Sequence, residues 1–446
     1  MTKPNSVSPC CDDTNFQYEP LLETESSLMF FLAEPAIASV TFFKDVNFEK
    51  SLNKIKKRIS LICHANPWLA GRLVKNKKRN KNVLLAIPNR IDENDIDALL
   101  CSEDSSLSNI STQMQYEKMC KALYKSNALV PAGYKLVGTE NKVAKFVFVP
   151  VAKGEVALLL SITHAVADGY TYYKILSMLT EGSTIESLSV CRKHEFIPKM
   201  KTAIGENETK LLLSPGLMLN MIPKMIFGPK AQFNARFVDK DKIQHAKLES
   251  ESRLGKSIHQ TFACSTNDIL TSTFGNATKA NLLLMAINLR NRLQEANNMD
   301  AGNYESVLTY DPPSYAKPEI IRQSLHQGAP FKRIGGSPLP GFFKLLRTRF
   351  AMITNWAFPT FKADLELVGM SSSESLKRGI HLHLPIYHPS AVIFPIAIIF
   401  RPSFGKLAIL YAGSPRDLSQ EQLIADGAPL GDSVNDMMFG SVGLIV

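Results

Sequence analysis

The sequence lacks any apolar run near the roughly 20 residues that a membrane-spanning helix requires. Its first 15 residues are polar and include Asp12 and Asp13, so no signal peptide or transit peptide is recognisable. The seven cysteines are scattered and include no CxxC pair, which argues against a disulfide framework or a zinc ribbon. No internal repeat or low-complexity array is present. These absences predict a cytoplasmic protein with reduced thiols and no transmembrane segment, in which residues 1–15 form a disordered tail.

What is present indicates a large, basic, globular protein. At 446 residues the chain is too long for one ordinary core, so two domains of about 200 residues each are expected. Lys and Arg (51) outnumber Asp and Glu (41), which gives a net charge of +10 and favours anionic small molecules, acidic proteins, nucleic acid or an anionic membrane. The basic residues are dispersed and no aromatic-studded RNA motif occurs, so nucleic acid is not an expected partner.

The most informative stretch is residues 156–169. An apolar run is followed by small polar residues and an Asp-Gly step, a pattern that predicts a buried strand ending where a helix begins. Apolar residues then recur at helical spacing, so Asp168 and Gly169 are expected at or just before the helix N-terminus. His164 in such a corner has a mobile proton near neutral pH and an open face for a substrate.

The first half shows further local patterns. Apolar residues at steps of three and four over residues 48–62 predict a helix that Pro67 ends, and Gly71 permits a tight path into the next strand. Residues 91–118 are acidic, serine-rich and weakly patterned, which predicts irregular surface structure with a short helix near residues 114–123.

Two turns in this half are predicted by short polar segments between apolar runs. Residues 75–81 are strongly basic and predict a hairpin tip that is either solvated or in contact with phosphate. Residues 143–151 and 156–162, joined by a short glycine turn, predict a second hairpin, whose second strand leads to His164.

The second half contains a capping signal and a basic strand end. Ser265 followed by Asp268 ahead of an apolar run predicts a helix that begins with a capping box. Residues 282–287 predict a strand that ends at the sequence NLRNR. Residues 181–230 are weakly patterned and are interpreted as a crossover between two domains, but their apolar patch at 217–227 is also consistent with a membrane-surface or partner helix.

Several motifs together resemble those of the BAHD-type acyltransferases, within the chloramphenicol-acetyltransferase-like superfamily. The motifs are HAVADG at residues 164–169, PWLAGRL at 67–73, STNDIL at 265–270, NLRNR at 288–292 and GNY at 302–304. The resemblance extends over residues 16–446. It implies an α/β fold of two lobes, each a mixed β-sheet flanked by helices, that meet across an interdomain tunnel. The lobe that carries HxxxDG is expected at residues 16–195, the crossover at 196–230 and the second lobe at 231–446.

The resemblance also implies roles for residues of the site. The family's histidine is a general base that assists direct attack on a thioester without an acyl-enzyme, and His164 matches it. The family's aspartate is structural and pairs with the arginine of an N-x-R motif, which implies that Asp168 pairs with Arg290, two residues after Asn288. Gly169 is expected to let the backbone pass close to the pantetheine arm of CoA.

Three further comparisons with the family concern single residues or a short segment. Thr354 and Trp356 resemble a Thr-x-Trp pair whose polar groups stabilise the oxyanion, although core packing is an alternative role for Trp356. Residues 364–369 replace the family's DFGWG, and only the aspartate is kept. Thr163 replaces the additional histidine that condensation domains and wax-ester synthases carry before HxxxDG.

The expected protein is therefore an acyltransferase of secondary metabolism that uses acyl-CoA as co-substrate and a small-molecule alcohol or amine as acceptor. It is expected to be a monomer with no permanently bound cofactor and no metal, and peripheral membrane contact is left open. Alternatives are a carrier-protein-dependent condensation-type enzyme, a wax-ester or diacylglycerol acyltransferase, and a catalytically silent binding protein on the same scaffold. A metal enzyme using His381, His383 and His388 is a further alternative, because alternate residues of a strand share one face.

Overall fold

The computed structural model describes residues 15–26, 36–76, 83–211, 214–227, 230–254, 263–326, 331, 338–358, 365, 380–418, 423 and 428–439. The strands are β1 (Phe16–Pro20), β2 (Ile37–Phe43), β3 (Arg72–Lys75), β4 (Val83–Pro88), β5 (Leu100–Cys101), β6 (Ala144–Pro150), β7 (Val156–Ile162), β8 (Gln232–Val238), β9 (Leu282–Asn288), β10 (Glu305–Tyr310), β11 (Phe350–Asn355), β12 (Ile380–Pro385), β13 (Ile396–Phe400), β14 (Ala408–Gly413) and β15 (Leu430–Ser433). The helices are α1 (Phe48–Ala65), α2 (Glu93–Leu99), α3 (Tyr116–Lys125), α4 (Gly133–Leu136), α5 (Gly169–Ser177), α6 (Phe196–Ile204), α7 (Glu206–Leu211), α8 (Pro215–Phe227), α9 (Lys240–Leu254), α10 (Thr266–Thr278), α11 (Pro312–Tyr315), α12 (Pro318–His326), α13 (Phe342–Leu345) and α14 (Asp436–Phe439).

The strand that leads to His164 lies at the centre of a five-stranded mixed sheet with the order β12-β2-β7-β6-β5. β7 pairs antiparallel with β6, which confirms the predicted hairpin, and also with β2. Every residue of β7 is buried because its alternate side chains enter two different cores. Leu158 and Leu160 pack into one core and Leu159 into the other.

The second half of the chain forms a seven-stranded sheet with the order β10-β9-β11-β13-β14-β8-β15. β11 is parallel to both of its neighbours, whereas the other pairs are antiparallel, so this sheet is mixed as well. Alternation again separates two faces of β9: Leu283 and Met285 pack in the core that contains α10, while Leu282 and Leu284 pack towards α8. Mixed sheets flanked by helices confirm the predicted α/β class.

The two sheets share one apolar core. Val40 and Leu159 of the first sheet belong to the same buried cluster as Ile398 and Leu410 of the second. β12, although it follows residue 231, pairs antiparallel with β2 and so lies in the first sheet. The expected domain limits at residues 195 and 231 stay a prediction, but the lobes exchange at least this strand.

The start of the first lobe follows its local sequence closely. The N-cap of α1 is Asn47, whose side chain accepts from the Lys50 backbone N–H, and the helix ends before Pro67 as predicted. β3 and β4 form the predicted hairpin, whose tip at residues 77–82 lies outside the described residues. Gly71 is needed for close approach, because a Cβ there would lie 2.8 Å from the Trp68 carbonyl oxygen.

The prediction of irregular structure from residue 91 to the helix near 114–123 was wrong for residues 93–101, which form α2 and the two-residue strand β5. Residues 93–99 form α2, which starts with a capping box between Asp92 and Asp95. The helix is only seven residues long, and its buried residues are Ile96 and Leu99. Two apolar positions cannot produce a recognisable helical period, so the capping residues were the only local signal. The helix expected near residues 114–123 is present as α3.

The predicted crossover is helical. α6 packs into the core of the second sheet through Phe196, Ile197 and Met200. α8 covers the other face of that sheet, where Leu217 is buried among side chains of β9 and β11. Among the residues that the structure describes, no helix is long and apolar enough to cross a membrane.

Candidate active site

The HxxxDG residues form the predicted corner between a strand and a helix. β7 ends at Ile162, and Asp168 is the N-cap of α5, with its Oδ1 accepting the Thr171 backbone N–H at 2.9 Å. The intervening residues are buried except His164, whose side chain keeps 21% of its surface exposed. The corner therefore presents one titratable side chain while its aspartate faces the interior.

Asp168 forms the ion pair with Arg290 that the family resemblance implied. Arg290 Nη1 lies 2.6 Å from Oδ2 and Nη2 lies 3.2 Å from Oδ1, and both side chains are buried. Oδ2 also accepts the Tyr304 backbone N–H at 3.0 Å. The aspartate thus joins α5 to the end of β9 and the start of β10, which lie on different sides of the lobe junction.

Asn288 and Gly169 support this pair in different ways. Asn288 Oδ1 accepts from the Arg290 backbone N–H at 3.1 Å and from Nη1 at 3.2 Å, so it fixes the guanidinium from the second lobe. A Cβ on Gly169 would lie 3.3 Å from Trp356 Nε1, so this glycine makes room for an indole ring. The expected approach of the Gly169 backbone to a pantetheine arm stays a prediction.

The ring of His164 is oriented by Asn303. His164 Nδ1 lies 3.1 Å from Asn303 Oδ1. The Asn303 amide nitrogen donates to the His164 carbonyl oxygen at 2.8 Å and to Glu25 Oε1 at 3.3 Å. Because two acceptors fix the amide nitrogen, the amide oxygen must face Nδ1, which therefore carries the ring proton. The lone pair of His164 is consequently on Nε2.

A second buried ion pair holds Asn303 in place. Glu25 Oε2 accepts from Arg192 Nε at 2.8 Å, and both side chains are fully buried. Glu25 Oε1 also accepts the Asn303 backbone N–H at 3.0 Å. Arg192 donates in turn to the carbonyl oxygens of Val166 and Ala301, so it connects the HxxxDG loop with the GNY segment.

Glu305 faces the other ring nitrogen of His164. Its Oε1 lies 3.8 Å from His164 Nε2, and its side chain is 22% exposed. Burial, followed by the negative charge of Asp168, raises the pKa of Glu305 to about 8, while Arg290 acts in the opposite direction. Burial also lowers the pKa of His164 below its ordinary value. These two pKa shifts both favour the neutral form, an imidazole without charge beside a carboxyl that keeps its proton.

Thr354 and Trp356 lie at and just beyond the end of β11. Alternation along the strand places them, with Met352, on the face opposite to the buried Ile353. Trp356 is half-buried and contacts Gly169 and the ring of Tyr173, whose centroid is 6.0 Å from that of the indole. The tryptophan thus packs beside the HxxxDG helix, and an oxyanion role for either residue stays a prediction.

The three histidines proposed as metal ligands do not meet. β12 is irregular between Ile380 and Leu382, which breaks the alternation, and His381 is exposed whereas His383 is buried. His383 Nδ1 lies 2.8 Å from Thr41 Oγ1 and its Nε2 lies 3.3 Å from the Tyr173 hydroxyl. His388 bonds Ser390. Within the described ranges no group of three or more His, Cys, Asp or Glu residues is arranged to hold a metal.

Sequence reasoning missed most of the groups around His164. Asn303 was noted within the GNY segment without a role, and Glu305, Glu25 and Arg192 were not selected. A GNY segment followed at once by a glutamate was the only local signal. Residues 364–369, compared above with DFGWG, lie outside the described residues apart from Leu365.

The whole chain resembles several solved structures at low sequence identity. Vinorine synthase matches with a TM-score of 0.50 and 11% identity, covering 95% of this chain and 94% of its own. TRI101 of F. graminearum, solved with coenzyme A and T-2 mycotoxin, matches with a TM-score of 0.56 and 11% identity, covering 94% and 99%. The first condensation domain of the CDA synthetase matches with a TM-score of 0.51 and 11% identity, covering 91% and 93%. No protein-family model and no curated protein sequence matches. The chain therefore has the chloramphenicol-acetyltransferase-like fold, in which two lobes are each a mixed β-sheet flanked by helices.

Proposed function

We propose that this protein transfers an acyl group from acyl-CoA to a hydroxyl or amine of a small-molecule acceptor, with His164 as general base. The observation that carries the proposal is the orientation of the His164 ring. Asn303 Oδ1 fixes the proton on Nδ1, and burial keeps the ring neutral, so Nε2 has a lone pair available near neutral pH. A neutral imidazole presented in this way is the group that general-base catalysis requires.

The proposed reaction proceeds by direct attack. His164 Nε2 takes the proton of the acceptor as its oxygen or nitrogen bonds to the thioester carbonyl carbon, and the carbonyl oxygen becomes an oxyanion. The carbon–sulfur bond then breaks, and the proton on Nε2 passes to the thiolate of CoA. The products are an ester or amide and free CoA, and no acyl-enzyme forms. A positioned general base contributes typically about 10²–10⁴-fold to the rate of such a step.

The surrounding groups support the base without reacting. The Asp168–Arg290 pair holds the loop so that the imidazole keeps its position when substrate binds. Thr354 and Trp356 are the proposed source of polar contacts to the oxyanion, since Trp356 packs against Gly169 at the start of α5. A directed donor of that kind is worth about 3 kcal/mol in the transition state.

The proposed donor is acyl-CoA because TRI101, which shares the fold, was solved with coenzyme A. A carrier-protein donor is the second candidate, since a condensation domain also shares the fold. Thr163 stands where condensation domains carry an additional histidine, and this substitution favours the CoA donor.

The test is to incubate the full-length protein with a panel of acyl-CoAs and candidate alcohols and amines while free CoA is measured. His164→Ala is expected to lose at least about 10²-fold in kcat. His245→Ala is a matched control, because His245 lies on α9 with its side chain 76% exposed. Equal rates for His164→Ala and the parent would disprove the general-base assignment. Absence of turnover with every CoA donor, combined with turnover of a carrier-bound acyl group, would favour the condensation-type reaction.

A further inference from the structure

Exposed apolar side chains are concentrated on one surface that covers the second sheet. Among the described residues, thirteen large apolar side chains are exposed, and seven of them lie on α8 or in the segment 342–346 that includes α13. We call these seven residues the apolar face; they are Met218, Leu219, Ile222, Ile226, Phe342, Phe343 and Leu346. The other six are dispersed over the rest of the chain. Such a concentration is unusual for a surface that contacts only water.

α8 has an apolar outer side as well as an apolar inner side. Its inner side, with Leu217, is buried against β9 and β11. Its outer side places Leu219, Ile222 and Ile226 at steps of three and four, with exposed fractions of 47%, 47% and 65%. A surface helix of a globular protein normally carries polar residues there. The outer side of α8 therefore carries apolar residues where a helix packed on a sheet normally presents polar residues to water.

α8 and α13 form one continuous surface. The Asn220 side chain donates to the carbonyl oxygens of Leu345 and Thr348 at 2.7 and 3.1 Å. Gly216 permits close approach, because a Cβ there would lie 3.0 Å from the Cβ of Leu345. Phe343, two residues before Leu345, is 82% exposed, the highest fraction among these side chains.

The charged residues within the two segments that form the apolar face are all positive, and one of them, the half-buried Lys224, has Asp417 nearby. The segments 214–231 and 338–358 contain no Asp or Glu, and their cations are Lys224, Lys230, Lys344, Arg347 and Arg349. Lys344 and Arg347 are exposed and lie within five residues of Phe342 and Phe343 in the chain. A symmetric dimer through this face would bring identical positive groups together. Anionic lipid headgroups are complementary to both the charge and the apolar side chains.

We infer that the apolar face docks this protein on the surface of an anionic lipid bilayer. Leu219, Ile222, Ile226 and Phe343 insert at the level of the headgroups and upper acyl chains, and the cations beside them contact lipid phosphates. The contact is peripheral, and neither α8 nor α13 spans the bilayer. This inference is independent of the proposed acyl transfer, because it concerns lipid binding by the free protein.

The test is co-sedimentation of the full-length protein with vesicles of phosphatidylcholine, with or without phosphatidylserine. Binding is expected to be stronger with phosphatidylserine and to fall as salt is added. Ile222→Glu and Phe343→Glu are each expected to lower the partition coefficient by at least about tenfold. Lys344→Gln combined with Arg347→Gln is expected to lower binding to phosphatidylserine vesicles by about tenfold or more, with little change on phosphatidylcholine alone.

Leu61→Glu is the matched control, because Leu61 is 57% exposed on α1 in the first lobe. It introduces the same charge and is expected to bind as the parent does. Failure of the parent to bind either vesicle would overturn the inference, and so would an equal loss in Leu61→Glu and Phe343→Glu. Light scattering that shows a dimer in the parent and a monomer in Phe343→Glu, without vesicle binding, would instead assign the face to a second copy and also overturn it. Far-UV circular dichroism of each variant confirms that the fold is retained.

Discussion

Substitution of Asp168 by alanine tests whether the buried ion pair holds the active-site corner together. The change leaves the Arg290 guanidinium buried without its carboxylate and removes the acceptor of the Thr171 and Tyr304 backbone N–H groups. Breaking a buried pair from one side costs about 3–5 kcal/mol. Loss of an N-cap costs about 1 kcal/mol. Because a single carboxylate makes all of these contacts, the two costs do not add. We expect the free energy of unfolding of Asp168→Ala to fall by about 4 kcal/mol.

The measurement is urea unfolding followed by both tryptophan fluorescence and far-UV circular dichroism, whose coincidence supports a single transition. Asp92→Ala is the control, since Asp92 is also an N-cap that accepts a backbone N–H at 2.9 Å. The described contacts of Asp92 are those of a helix cap and include no buried cation. Asp92→Ala should therefore lower the free energy of unfolding by only about 1 kcal/mol.

The double variant Asp168→Ala with Arg290→Met extends the test. It removes the stranded guanidinium, so it is expected to be less destabilised than the sum of the two single changes. If Asp168→Ala lost no more stability than Asp92→Ala, the hypothesis that the Asp168–Arg290 pair stabilises the corner between β7 and α5 would be refuted.

Two further predictions concern the groups on either side of His164. Asn303→Ala removes the acceptor that fixes the proton on Nδ1, so kcat is expected to fall by about 10²-fold, and ring ¹⁵N shifts are expected to show a mixture of tautomers; an unchanged tautomer would contradict this role. Glu305→Gln tests the raised pKa of this carboxyl, which is about 8 in the folded protein and 4.5 in the unfolded chain. Between those pH values the folded state binds more protons than the unfolded state, so the parent becomes less stable as the pH rises. The glutamine variant is therefore expected to lose less stability from pH 5 to pH 8 than the parent; parallel stability curves for the two proteins would contradict the raised pKa.

The sequence alone predicted the corner that presents His164, because the signals for that corner are local. An apolar run that stops at small polar residues, followed by Asp-Gly, predicts the end of β7 and the N-cap of α5, and both are present. The capping box at Ser265 and Asp268 was found in the same way. The pairing of Asp168 with Arg290 could not be derived from such signals, and it came only from the resemblance to a family.

The groups that act on His164 were beyond local reasoning. Asn303 lies 139 residues after His164 in the sequence. Glu25, which hydrogen-bonds Asn303, lies 278 residues before Asn303. The position of β12 in the first sheet is equally non-local, since it pairs with β2 more than 300 residues upstream. Chain folding alone brings such positions together, so no spacing or periodicity records them.

The sequence by itself determined the strand-to-helix corner, the caps of α5 and α10 and the hairpins, because each depends on residues close together in the chain. Only the tertiary structure decided which ring nitrogen of His164 carries the proton and which carboxyl faces the other nitrogen. It also decided which helix keeps exposed apolar side chains. The physical reason is that hydrogen-bond partners, pKa values and exposure depend on the environment in space. That environment is assembled from both lobes of the fold.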